Sequence, residues 1–365
     1  MTSRKLPLRF QSVAHSWVAL HPKPKGVIQF IGGAFFGTFG PTLFYRHLLQ
    51  YLFDQSYTLV LLPFNFTFNH YKEAGLLAKE QYQILPDLVR AALLENYDYK
   101  IYLSERNYTW MGHSLGCKYV ALLEGLSALP EDESARVQFI REVLVCAASA
   151  DDRKPDEKEI QRTVSQINTL VEELEKEAVD AKKLVCQYIK EYGRGHCVNV
   201  SSTRFTSADS TSSDLIDFSS LFIKNQPSIL LAPDISGTSS AIRPEFLAQI
   251  IDQLGWGVKP TPVVTHELIK KSKLFNLLGL VCFQNDDIAK ETCQWFLQDL
   301  KKPSADYQET LLGGHLRPLG TRVGNRVFTF FLDWPWVTPL DQRNAEFEAL
   351  VAKLLNRLRS YLSRF

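Results

Sequence analysis

The chain has 365 residues, of which 45% are hydrophobic and 12% aromatic, enough for one large α/β domain with an insertion or for two domains. A formal net charge of +1 gives no electrostatic ground for a nucleic-acid partner. No stretch reaches the ~18 consecutive apolar residues of a spanning helix, and residues 1–20 lack the apolar core of a signal peptide.

The six cysteines are scattered and form no CxxC pair, so neither a zinc site nor a redox dithiol is indicated. Free thiols in a reducing compartment are expected.

Residues 10–20 predict a pair of opening strands, with a turn at Pro22–Pro24. Gly26–Ile31, apolar except for Gln29, predicts a compact buried strand. It leads into Gly32-Gly33-Ala34-Phe35-Phe36-Gly37, where glycines after a strand let backbone approach a ligand. A helix is expected from Pro41, and Tyr57–Leu62 predicts the next strand. In Phe64–His70 aromatic and polar residues alternate, which suits a pocket lining or an edge segment. Residues 71–95 read as helix.

Residues 108–111 predict a strand that enters Gly112-His113-Ser114-Leu115-Gly116, and helical spacing follows at once. Strand, Gly-x-Ser-x-Gly and helix together describe a nucleophile elbow, with Ser114 on a strained turn. His113 reads as a packing residue. The alternation of strands and helices to this point predicts a parallel sheet covered on both faces.

Residues 131–226 interrupt the alternation, with a strand candidate only at Val143–Ala147. From Pro155 to Gly193, apolar residues recur at Ile160, Val164, Ile167, Val171, Leu174, Ala178, Ala181, Val185 and Tyr188. This heptad seam predicts one long helix in a helical cap, with its stripe buried inside the molecule or, second, in a homodimer through 155–193. Residues 201–213 are rich in Ser and Thr and predict a loop. The expected division is a core from 1–130 and 227–365 around a 131–226 insertion.

Strands are predicted again at 227–233, 277–283 and 307–312, and helices at 243–254, 263–271, 288–300 and 344–362. Gln284-Asn285-Asp286-Asp287-Ile288 follows one late strand, and Gly313-Gly314-His315 follows the next. A serine hydroxyl needs a base within hydrogen-bond reach, and the base needs an acid to orient it. Ser114, Asp286 and His315 stand in the chain order Ser, acid, His. Asp286 is preferred to Asp287 because Ile288 lies two places on. Asp234, after the strand at 227–233, is a further candidate acid. Backbone N–H groups of Ala34 (Phe35 second) and Leu115 are expected to form an oxyanion hole.

Five segments together resemble one family: His15-Ser16-Trp17, Phe30–Phe35, Gly112–Gly116, Gln226–Pro233 and Gly314–Pro318. It is the α/β-hydrolase-like family of unknown function thirteen-fifty. The resemblance implies the α/β-hydrolase fold, a photosynthetic source, and a cytoplasmic location, with the plastid stroma as the alternative. The expected activity is that of a serine esterase, thioesterase or lipase that uses no metal or organic cofactor. Its substrate would be a small-molecule or acyl-lipid ester. The alternative is a non-catalytic binding or scaffold protein on the same fold.

Overall fold

The computed structural model describes residues 6–193, 216–235, 258–272, 278–340 and 344–362. The expected loop at 201–213 and helix at 243–254 lie outside the described residues. The main sheet has eight strands: β1 (Gln11–Val13), β2 (Ser16–Ala19), β3 (Gly26–Ile31), β4 (Tyr57–Leu61), β5 (Tyr108–His113), β6 (Ser228–Leu231), β7 (Leu278–Phe283) and β8 (Gln308–Leu311). Their spatial order is β1-β2-β4-β3-β5-β6-β7-β8. β1 and β2 pair antiparallel and β2 joins β4 antiparallel, while every other pairing is parallel. This is the strand order of the α/β-hydrolase fold.

The inner strands β3 to β7 are buried along their whole length. That explains why they read as mainly apolar runs rather than alternating ones. The chain leaves β3 for β4 on one side and returns to β5 on the other. The strand order therefore reverses between β3 and β5, and in open α/β sheets that point opens a crevice at the carboxyl ends.

The early helices are α1 (Ala34–Phe39), α2 (Pro41–Phe44), α3 (Arg46–Asp54), α4 (His70–Leu94) and α5 (Leu115–Leu126). The stretch after Gly33 is helical from Ala34, and the helix expected from Pro41 is broken at Tyr45. α6 (Glu133–Ala150) contains Val143–Ala147, which is therefore not a strand. Its apolar positions Ile140, Val143, Leu144 and Ala147 recur at helical spacing and are buried.

α7 (Glu157–Tyr192) is capped by Asp156, whose side chain accepts from the Lys158 N–H. Its buried stripe runs Ile160, Thr163, Ile167, Val171, Leu174, Ala178, Ala181, Val185, Ile189. Thr163 and Ile189 replace the expected Val164 and Tyr188, because a straight helix drifts from a strict heptad. The stripe packs inside the molecule, against α4 and α6.

Two further expectations shift. The helix expected at 288–300 is a short helix, Lys290–Gln294, that continues as a π turn, Trp295–Asp299. After β8 comes a second, antiparallel sheet that the sequence pattern did not announce. It consists of β9 (Gly320–Val323), β10 (Arg326–Phe331) and β11 (Trp334–Pro339), in the order β11-β10-β9. Among the described residues no helix is long and apolar enough to cross a membrane.

Cys282 and Cys293 form a disulfide, contrary to the expectation of six free thiols. They lie 11 residues apart, too far for a CxxC reading, and only the fold brings their Cα atoms to 6.2 Å. Cys117 and Cys146 carry free thiols.

Glu124, on α5 under the sheet, is buried and accepts from Ser228 Oγ at 2.9 Å. Burial pushes its pKa up to about 8, against the smaller opposing effect of the Ser228 bond. The folded chain thus keeps a proton that the unfolded chain releases above about pH 4.5. Stability attributable to this group should fall as pH rises from there toward 8. Glu124→Gln should remove that fall. Urea unfolding at pH 5 and pH 8 should show the variant gaining on the wild type by a few kcal/mol, on the order expected for a shift of this size.

Candidate active site

Ser114 ends β5 and caps α5 with φ 53° and ψ −122°, a left-handed backbone that a non-glycine residue rarely adopts. The turn exists because neighbouring side chains are missing. A Cβ on Gly112 would lie 2.7 Å from the Cys117 Cα, and one on Gly116 would strike the Ile31 carbonyl oxygen. The elbow therefore seats the start of α5 directly against the end of β3.

That contact brings together loops from the carboxyl ends of β3, β5, β7 and β8. Ser114 Oγ lies 2.7 Å from His315 Nε2. His315 Nδ1 lies 2.9 and 3.0 Å from the two oxygens of Asp286. Asp286 Oδ1 also accepts from the N–H groups of Ile288 and Ala289, at 3.0 and 2.9 Å. These fixed donors orient the carboxylate. With Nδ1–H donating to Asp286, the imidazole presents a lone pair at Nε2 to the Ser114 hydroxyl. The hydrogen-bond network assigns this tautomer.

Asp287 is exposed, whereas Asp286 is buried. Asp234 is buried and lines the same chamber, and its backbone N–H donates to the Ser114 carbonyl at 3.3 Å. The His315 ring nonetheless turns to Asp286.

Ala34 and Leu115 are the first residues of α1 and α5, and both line the chamber with Ser114. The first N–H groups of a helix have no intrahelical acceptor and carry the positive end of its dipole. Two helix starts thus converge beside one hydroxyl. Phe35 also lines the chamber, but its side chain is largely exposed.

The Asp286 and His315 loops are tied by backbone: Gln284 N–H donates to the Leu311 carbonyl and Asn285 N–H to that of Gly313. Gly313 has φ +153°, which L side chains rarely adopt. The Cys282–Cys293 disulfide brackets the Asp286 loop from either side.

His113 does more than pack. Its Nδ1 meets the Tyr45 hydroxyl at 2.7 Å and its Nε2 meets the His315 carbonyl at 2.9 Å. The Tyr45 oxygen accepts from the Gly33 N–H at 2.8 Å. The consistent assignment has Tyr45 O–H donating to Nδ1 and Nε2–H donating to His315. Burial lowers the His113 pKa to about 3, with the neighbouring His315 adding to the effect, so the ring is neutral as this chain of bonds requires. One line of bonds thus spans the β3, β5 and β8 loops. The residue in the second position of the elbow pentapeptide was visible in the sequence; Tyr45, 68 residues away, carried no signal.

The chamber is about 190 Å3 and is walled mainly by Phe35, Phe36, Phe66, Phe68, Leu115 and Ile288. The Phe64–His70 stretch is therefore a pocket lining. No described residue of 131–226 reaches the chamber. Instead α7 braces its rim, through Gln166 to Asn69 at 2.9 Å and Glu159 to Lys259 at 2.6 Å. Among the described residues no group of three or more His, Cys, Asp or Glu could hold a metal ion.

Tyr45→Phe would leave the Gly33 N–H and His113 Nδ1 unpaired in a buried site. The expected cost is about 1–3 kcal/mol in a denaturant titration.

A search of curated proteins gives no match. Among solved structures, the chain is similar to Esterase B from Lactobacillus rhamnosis, with 11% identity and a TM-score of 0.42, over 97% of this chain and 83% of that one. It is also similar to a thermophilic esterase from Thermogutta terrifontis, with 10% identity and a TM-score of 0.37, over 99% of this chain and 92% of that one. The family model described as Protein of unknown function (DUF1350) matches residues 9–140, the span that holds the β3 glycines and the elbow. Residues 9–140 thus match the family that the motif segments resemble.

Proposed function

We propose that this protein is a serine hydrolase of a carboxylic ester or thioester. The observation that carries the reading is the unbroken line from Ser114 Oγ through His315 to Asp286, with contacts of 2.7 and 2.9 Å. In this reading Ser114 Oγ attacks the acyl carbon while its proton passes to His315 Nε2. Asp286 holds Nδ1–H and stabilises the imidazolium that results. Negative charge then develops on the carbonyl oxygen, where the N–H groups of Ala34 and Leu115 would receive it. The imidazolium returns its proton to the departing alcohol or thiol. Water then repeats the sequence on the acyl-serine, and the carboxylic acid leaves.

The apolar walls favour an uncharged acyl group. A cavity of about 190 Å3 is smaller than the ~300–1,000 Å3 pockets that bury drug-sized ligands. That size favours a short acyl group over a full-length fatty acyl chain. A His315 beyond reach of Ser114 would favour the non-catalytic alternative; the 2.7 Å contact favours the hydrolase.

A fluorophosphonate probe should label the wild type and not Ser114→Ala. With p-nitrophenyl esters of graded length, turnover should be greatest at about four to six acyl carbons. Ser114→Ala should lower kcat by about a millionfold, the scale seen when such a nucleophile is removed. A flat profile independent of Ser114 would overturn the assignment.

A further inference from the structure

His315 lies in the connection between β8 and β9, outside any strand or helix. Its imidazole is aimed by Asp286, but something must also fix the backbone that carries it. We propose that Asp333 is a positioning residue for His315, and that the β10–β11 hairpin is the strut which delivers it. The inference rests on the hydrolase reading for its kinetic consequence.

The geometry is specific. Asp333 Oδ2 accepts from the His315 N–H at 3.1 Å and Oδ1 from the Leu316 N–H at 2.6 Å. One carboxylate thus holds two successive N–H groups, across 18 residues of chain. On the other side of the same residue, the His315 carbonyl accepts from His113 at 2.9 Å. Both peptide groups of the base are therefore clamped, one by the elbow and one by the hairpin.

Two further features belong to this contact. Asp333 and Leu332 form the two-residue turn between β10 and β11, with φ 61° and 50°. Positive φ at both central positions is the hairpin-type turn that normally recruits Asn and Gly. Here a leucine and an aspartate occupy it, and the turn brings the carboxylate to the base. On the facing side, a Cβ on Gly314 would lie 2.5 Å from the Asp333 Cγ and Oδ2. Gly314 is thus the residue that admits the carboxylate. Asp333 reaches only the backbone of His315, while the ring is held by Asp286. It acts through the base and touches no reacting atom.

Asp333→Ala and Asp333→Asn test this, each in the full chain with p-nitrophenyl butyrate. Misplacing a reacting group by about 1 Å can cost about a hundredfold. Asp333→Ala should therefore lower kcat by about 10- to 100-fold with KM changed less than about twofold. Asp333→Asn retains one acceptor and should fall between Ala and the wild type. Gly314→Ala, which pushes on the same carboxylate from the opposite side, should reproduce the kcat loss and serves if Asp333→Ala does not fold. NMR of the His315 Nδ1–H proton supplies a readout independent of turnover. It should shift or broaden in Asp333→Ala. If the wild type hydrolyses the ester while Asp333→Ala leaves both kcat and the proton resonance unchanged, the positioning role is overturned. If the wild type hydrolyses no ester but the resonance still responds to Asp333, the positioning role stands and the hydrolase reading falls.

Discussion

The site depends on one close approach: the first turn of α5 lies against the last residue of β3, with Gly116 over the Ile31 carbonyl. No side chain larger than hydrogen fits there. The contact holds Ser114 at φ 53°, and it sets the start of α1 and the start of α5 beside each other at the reversal point of the sheet. A strained residue persists only where its surroundings over-determine it. Here they do, because β5 is paired on both sides, to β3 and β6, and α5 is buried along nearly its whole length.

From that fixed point the other loops are tied in by polar contacts rather than by packing. Tyr45 and His113 form a buried line of hydrogen bonds from the Gly33 N–H to the His315 carbonyl. Backbone bonds join the acid loop to the base loop, and the disulfide closes the acid loop on itself. In a buried site each such group is costly to leave unpaired, so the bonds specify one arrangement as well as stabilise it. The insertion contributes differently. α7 lies on α4 and supports the rim of the chamber from outside through Asn69 and Lys259.

Much of the sheet was legible because buried parallel strands leave short, mainly apolar runs. β3, β4, β5, β6 and β7 all have that form. The second sheet was not legible. β11 is Trp-Pro-Trp-Val-Thr-Pro, exposed at nearly every position, so it has neither the alternation nor the apolar run that marks a strand. The Val143–Ala147 segment misled for the opposite reason: a short apolar run fits a buried strand and a helix face equally well.

What the sequence determined by itself was local: a Gly-x-Ser-x-Gly between strand and helix, glycines after β3, and Asp286 and His315 after two late strands. These follow from steric and periodic rules that act over a few residues. Tertiary structure alone decided which carboxylate faces His315. Asp234, Asp286 and Asp287 are chemically alike, and only burial and the Ile288 and Ala289 N–H groups single out Asp286. It also decided the partners of His113, the pairing of Cys282 with Cys293, and the approach of Asp333 to His315. Each of these joins groups well apart in the chain, and the period of a pattern carries no information about which distant residue will fill a given contact.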